Sequence, residues 1–313
     1  MNMINQTMVK YFIIRGISTV PELQAPIFLL VLIIYLFILG GNMIIVLLVC
    51  SDRHLHTPMY LFLANLSMVD ISCSTVSLHK ILDSFVSGDK SVPYLACMVQ
   101  IYFFASLTYD EQMALAVMSY DRYVAICNPL RYHVVMNQKV CALLTLMCWI
   151  SGFIQLLLPV LILSGFSCYT SNEINHFLCD MVPLMEITCD DTTILQVIIF
   201  TAGLLLFYLI PLLLTSIPYI FIITTILRIC SSTGRRKVFY TCSSHLTLVI
   251  LLYVSIYLQY LTPKSTKSTE SNKLISMFNT VLVPIVNPLI YSLKNKDVKS
   301  AMKRKLKWCQ VIT

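Results

Sequence analysis

What this sequence lacks first is charge. Of its 313 residues only 12% are Asp, Glu, Lys or Arg, while 58% are hydrophobic; a soluble domain of ordinary composition carries about 25% charged residues. Most of the chain must therefore sit in a medium other than water. It also lacks the patterns by which membrane enzymes are read: no His-Glu-x-x-His, no Gly-x-Ser-x-Gly and no metal-ligand cluster lies in an apolar stretch. No enzymatic activity, cofactor or metal is expected. No internal repeat or continuous polar pathway is visible, which counts against an ion-coupled transporter or channel, although the acids Asp70, Asp110 and Glu111 are of the kind that mark ion pathways. Residues 1–24 lack a compact apolar core, so the first apolar stretch is expected to act as signal anchor.

What the sequence does have is seven apolar stretches, near 25–49, 58–84, 93–127, 139–163, 192–228, 236–261 and 270–293. Each reaches the ~20 residues that a helix needs to cross a bilayer. The expected fold class is an all-α membrane protein, a seven-transmembrane helix bundle with a short amphipathic helix after the seventh span. If the stretches span, Arg53, Arg122, Arg131, Arg235, Arg236 and the Lys294–Lys307 run fall on one face. The net charge of +7 is then a topology signal rather than a nucleic-acid footprint, and that face is expected to be cytoplasmic. An odd number of spans leaves the N-terminus outside. The expected organisation is an extracellular tail over 1–24, helices over 25–293 with a long extracellular loop at 164–191, and a cytoplasmic tail over 294–313. Asn5-Gln6-Thr7 is a glycosylation sequon on the outer tail.

The outer tail is too short for a binding domain, so a ligand site must lie among the helices or their loops. In the third stretch Phe104, Thr108 and Tyr109 fall on or near one helical face, and in the sixth Tyr253, Tyr257 and Tyr260 recur at i, i+4 and i+7. Such stripes serve packing more often than binding, but phenols at membrane depth need partners and can offer them to a ligand. Asp70 is an acid within a span, with Glu111 as candidate partner and Asn287 nearby, a group suited to a sodium ion or a proton. Asn42, beside Gly40 and Gly41, also wants a polar partner. Asp121 and Arg122 close the third stretch and can form a latch at the membrane boundary. Of 12 cysteines, Cys97, Cys168, Cys179 and Cys189 fall on the oxidising side, and four cysteines allow three pairings. The long loop also carries Glu173, Asp180, Glu186, Asp190 and Asp191. His176-Phe-Leu-Cys179-Asp180 has metal-like spacing, but a disulfide would consume Cys179. After the seventh span Val298, Ala301, Met302 and Leu306 share a helical face in a basic stretch that can lie on the inner leaflet, with Cys309 a candidate for palmitoylation.

Pro58-Met-Tyr-Leu-Phe-Leu-Ala-Asn-Leu-Ser67, Met118-Ser-Tyr-Asp-Arg-Tyr-Val-Ala-Ile-Cys127, Thr241-Cys-Ser-Ser-His-Leu246 and Pro284-Ile-Val-Asn-Pro-Leu-Ile-Tyr-Ser-Leu-Lys-Asn295 together resemble the vertebrate odorant receptors, within the rhodopsin-like G-protein-coupled receptors. The resemblance covers nearly the whole chain. It implies a plasma-membrane receptor with Cys97–Cys179 and Cys168–Cys189 bridges, coupled to a stimulatory G protein that raises cyclic AMP. It implies a switch in which Arg122 releases Asp121, with Tyr123, Tyr219, Asn287, Pro288 and Tyr291 taking part. It places a small, mostly apolar odorant against Phe104, Ala105, Thr108, Tyr109, Gly203, Phe207, Tyr257 and Tyr260, under the long loop as lid. Biogenic-amine receptors of the wider family carry an Asp where this chain has Phe104, so amine binding of that kind is disfavoured. Departures from the family pattern are Pro218 before Tyr219, Tyr240, Asn279, and Leu252-Tyr253-Val254. A rhodopsin-like receptor for another small molecule, lipid or peptide is the alternative.

Overall fold

The computed structural model describes residues 9–18, 20–228, 231–261 and 269–312. In its later helices the side chains of some residues, Tyr260 and Tyr291 among them, lie outside the described set. Seven long helices form a bundle: α1 Pro21–Ser51, α2 Pro58–Ser87, α3 Tyr94–Cys127, α4 Gln138–Ser164, α5 Thr193–Arg228, α6 Ser232–Ile256 continuing through Tyr257–Leu261, and α7 Thr269–Lys294. An eighth, α8, runs over Lys296–Ile312. The boundaries have local causes. Pro58 occupies the first turn of α2, where a missing N–H costs nothing. Gly88, at φ 73°, ends the same helix in the left-handed conformation that glycine adopts freely. The Asn137 side chain accepts from Val140 N at 3.1 Å and caps α4.

The bundle is apolar outside as well as inside. Leu29, Leu30, Ile33 and Leu36 of α1 and Ile154 of α4 point outward, as in a helix whose solvent is hydrocarbon. Polar groups are instead gathered within. Asn42, Asp70, Asp110, Glu111 and Asn287 are all buried. Gly41 lets α1 approach α7: a Cβ there would stand 3.0 Å from the Pro288 ring.

One end of the bundle carries a small sheet. β1 (Tyr11–Ile14) pairs antiparallel with β2 (Ser91–Pro93), with Phe12 opposite Val92, and parallel with β3 (Glu173–Ile174), with Ile14 opposite Ile174. Alternate residues turn inward, so Phe12 and Ile14 are buried while Tyr11 is exposed. Arg15 pairs with Glu173 at 2.7 Å at the sheet's edge. Part of the stretch expected as a plain tail is thus woven into two loops of that end. At the opposite end α8 packs Val298 and Ala301 into the helix core. Arg304 donates to Asp52 Oδ2 through Nε at 3.1 Å and Nη2 at 2.6 Å, and Tyr60 donates to Asn295 and Asp297 at 3.0 and 2.8 Å. The Arg304 guanidinium, with the His54 side chain, holds the Asp52 carboxyl well below its ordinary range.

Candidate functional site

A cavity of about 750 Å³ lies among α3, α4 and α5, beneath the loop that joins α4 to α5. Its size falls within the range of ligand pockets, ~300–1,000 Å³. Ile101, Phe104 and Ala105 of α3 form one wall, Gln155, Leu156 and Pro159 of α4 another, and the stretch 196–204 with Phe207 and Tyr208 of α5 the third. Along Ile199–Leu209 α5 is π-helical, a widened turn frequent at functional sites. Gly203 lies in it with open space beside it, a Cβ meeting only Ile199 Cγ2 at 3.9 Å.

The roof is a short helix, Met181–Ile187, from which Met181, Val182, Met185 and Glu186 face the cavity. Asp180 precedes it, and its carboxylate accepts the Met181 N–H at 2.6 Å. Asp180 is buried, and burial pushes its carboxyl up to about 6, against the opposing pull of the Met181 N–H and the Gln259 amide. Two disulfides hold the loop. Cys97–Cys179 ties it to the start of α3 and Cys168–Cys189 closes it on itself, with Cα–Cα distances of 5.5 and 5.2 Å. The pairing is the one that the family resemblance implies. Cys179 is thereby unavailable to His176 as a metal partner, and among the described residues no His, Cys, Asp or Glu grouping could hold a metal. His176 is stacked on Phe177, and burial pushes its imidazole down to about 4.

Phe104, Ala105, Gly203 and Phe207, expected to touch a ligand, all line the cavity. Thr108 and Tyr109 stand just outside the lining: the Thr108 hydroxyl donates back to Phe104 O at 2.8 Å, and the Tyr109 ring packs on Phe207 with centroids 5.5 Å apart. Tyr257 is half exposed and not among the lining residues, although it stands near Tyr208, which is. It opens the π-helical turn Tyr257–Leu261 at the end of α6. The Tyr260 side chain lies outside the described residues. Sequence reasoning placed the long loop over the site as a lid but named none of its residues as ligand contacts, and it missed Gln155 and Pro159 of α4 and Tyr208.

In the bundle's middle Asn287 Nδ2 donates to Asp70 Oδ2 at 2.7 Å, and Asp70 lies against Glu111. Asn42 turns instead to backbone, donating to Pro284 O at 3.0 Å and Ile38 O at 3.1 Å. Asp70 Oδ1, Glu111 Oε1 and Asn287 Oδ1 are buried without a hydrogen-bond partner. Acceptor oxygens in that state suit a proton or a cation. Near the α8 end the expected latch takes another form. Asp121 accepts the Tyr132 hydroxyl at 2.9 Å, while Arg122 reaches the Met59 sulfur. Among the described residues no ion pair joins Asp121 to Arg122. Neighbours i and i+1 on a helix do not face each other, so adjacency in sequence does not make a pair. Tyr123 packs on Phe221 of α5, and Tyr219 bonds His245 Nδ1 at 2.6 Å, joining α5 to α6. The Tyr291 side chain lies outside the described residues, as does Asn5.

The helix order, a disulfide from the start of α3 to the roof, and a cavity beneath it define a rhodopsin-like bundle. Squid rhodopsin superposes on it with a TM-score of 0.69 over 93% of this chain and 88% of its own, at 20% identity. The family model "Olfactory receptor" matches residues 31–308. Human olfactory receptor 5B21 is 44% identical over 95% of this chain and 96% of its own, and human olfactory receptor 6C3 is 42% identical over 96% of each. Mouse olfactory receptor 8G50 is 43% identical over 96% of each. The chain belongs to the olfactory receptor family: it is a multi-pass plasma-membrane receptor of the G-protein-coupled class and not an enzyme.

Proposed function

We propose that a small, mostly apolar odorant occupies the cavity under the disulfide-held roof, and that its binding activates a stimulatory G protein and raises cyclic AMP. The single observation that carries this reading is the cavity itself, about 750 Å³ walled by Phe104, Phe200, Phe207 and aliphatic side chains. On this reading residues 1–24 and the roof lie outside the cell, with Asn5 glycosylated, and α8 lies inside. The helices of 25–293 carry the signal, and the tail of 294–313 docks against the first inner loop. The ligand shifts a two-state population by its differential affinity for the two states. The Tyr219–His245 contact between α5 and α6 is the one that must break as the inner ends part. Asp70 and Glu111 hold a sodium ion or a proton in the resting state.

The test is cyclic AMP in cells expressing the chain with an olfactory-type stimulatory G protein, against a diverse odorant panel, with Gly203→Phe and Arg122→Ala in parallel. The wild type responds to a few compounds. Gly203→Phe fills the cavity and loses the response at normal surface display, and Arg122→Ala binds but stays silent. A response that survives Gly203→Phe unchanged places the ligand elsewhere.

A further inference from the structure

The acid that α3 does not supply at Phe104 is supplied by the roof. Among the described residues that line the cavity are two acids, Asp180 and Glu186, and no Lys, Arg or His. The buried His176 and Lys273 are not part of the lining. Asp180 is only 8% exposed, and its described partners are two neutral groups, the Met181 N–H and the Gln259 amide. Among the described residues this carboxylate meets no countercharge, a costly state that a cation relieves. The same cavity is lined by the rings of Phe104, Phe200, Phe207 and Tyr208, and an aromatic face attracts an ammonium group from within about 6 Å. The remaining wall is aliphatic and suits an apolar body.

We propose that this cavity is selective for small primary amines with an apolar body, the ammonium group held by Asp180 from the roof and the hydrocarbon by the α3, α4 and α5 walls. The inference rests on the cavity being the ligand site. It differs from amine recognition through an α3 acid in that the anchor sits on the disulfide-held loop, so the ligand ties the roof to the helices. Asp180→Asn keeps an acceptor for the Met181 N–H and removes only the charge.

The experiment reads binding without any G protein. The full-length receptor is purified into lipid nanodiscs, and its thermal melting is followed with hexylamine, hexanol and hexanoic acid, and with 2-phenylethylamine and 2-phenylethanol. The amines are expected to raise the melting temperature at concentrations at least about tenfold below their isosteric alcohols, the worth of one charge-assisted hydrogen bond. The acid is expected to be weakest. Asp180→Asn abolishes the preference for amine over alcohol, whereas Glu173→Gln, a loop acid outside the cavity, retains it. Amines no stronger than alcohols in the wild type, a preference that persists in Asp180→Asn, or no stabilisation by any amine each overturn the proposal. Amine-selective melting without cyclic AMP strikes only the signalling reading. A cyclic AMP response to alcohols without amine preference strikes only this inference.

Discussion

Two buried titratable groups of the roof oppose each other. Folded Asp180 keeps its proton up to about pH 6, while the unfolded chain loses it near 3.8. The folded state therefore binds more protons in that window, and stability falls as pH rises through it. His176 has the opposite sign. The unfolded imidazole takes up a proton near 6.5 and the folded one only near 4, so stability falls as pH drops through that window. Each effect amounts to roughly 3 kcal/mol, and in the wild type they largely cancel. Asp180→Asn is expected to lose melting temperature between pH 6.5 and 4.5 relative to wild type, and His176→Phe, which keeps a ring on Phe177, to gain it. Parallel shifts in the two variants would refute the assignment. The same scale holds the latch. Asp121 is tied to Tyr132 rather than to Arg122, and removing a hydrogen bond to a carboxylate costs about 1.5–3 kcal/mol. Tyr132→Phe should raise basal cyclic AMP several-fold at equal surface display, and an unchanged baseline would make the contact merely structural. The sequence marked Asp121 and Arg122 as switch residues, but their separate partners depend on which face each side chain takes and on a loop eleven residues on.

At the scale of elements, the helices were legible because each is an apolar run of spanning length, and the third was legible despite its acids. What the runs could not disclose is where two helices touch. Asp110, an acid within a span, fills the space beside Gly152: a Cβ on Gly152 would collide with the Asp110 carboxylate and stand 2.8 Å from Ser106 O. α3 and α4 therefore meet through a missing side chain. Gly152→Ala should destabilise by about 1–3 kcal/mol, as overpacking does. Adding Asp110→Ala should recover part of the loss in a thermal-melting cycle, whereas additive losses would show that the two sites are independent. The π-helical turns of α5 and α6 were equally hidden, since the hydrophobic pattern reports burial and not the number of residues per turn. In α5 the widened turn lines the cavity with Gly203 and Phe207.

For the whole molecule, the roof helix over the cavity packs against a cap that the sequence presents as three unrelated pieces. β1 is four residues long, too short to be read as a strand, and exists because residues 80 and 160 positions further on supply its neighbours. Phe12 is the keystone of that cap. It is fully buried, with its ring 5.9 Å from Tyr94 at the start of α3 and 5.1 Å from Tyr169 in the loop. The Tyr94 hydroxyl in turn donates to Ser164 O at the end of α4. The roof over the cavity is thus held by two kinds of link, covalent through Cys97–Cys179 and noncovalent through Phe12. Phe12→Ala removes about 3–5 kcal/mol of packing from the second while leaving the first. Amide hydrogen exchange should then quicken at Ser91, Val92, Glu173 and Ile174 and along the Met181–Ile187 roof, with the amides of α8 unaffected. Ligand residence should shorten with it, because a looser roof opens more often. Exchange that stays slow in the roof would mean that the disulfide alone positions it, and exchange that quickens everywhere would mean that the cap supports the whole bundle rather than the site.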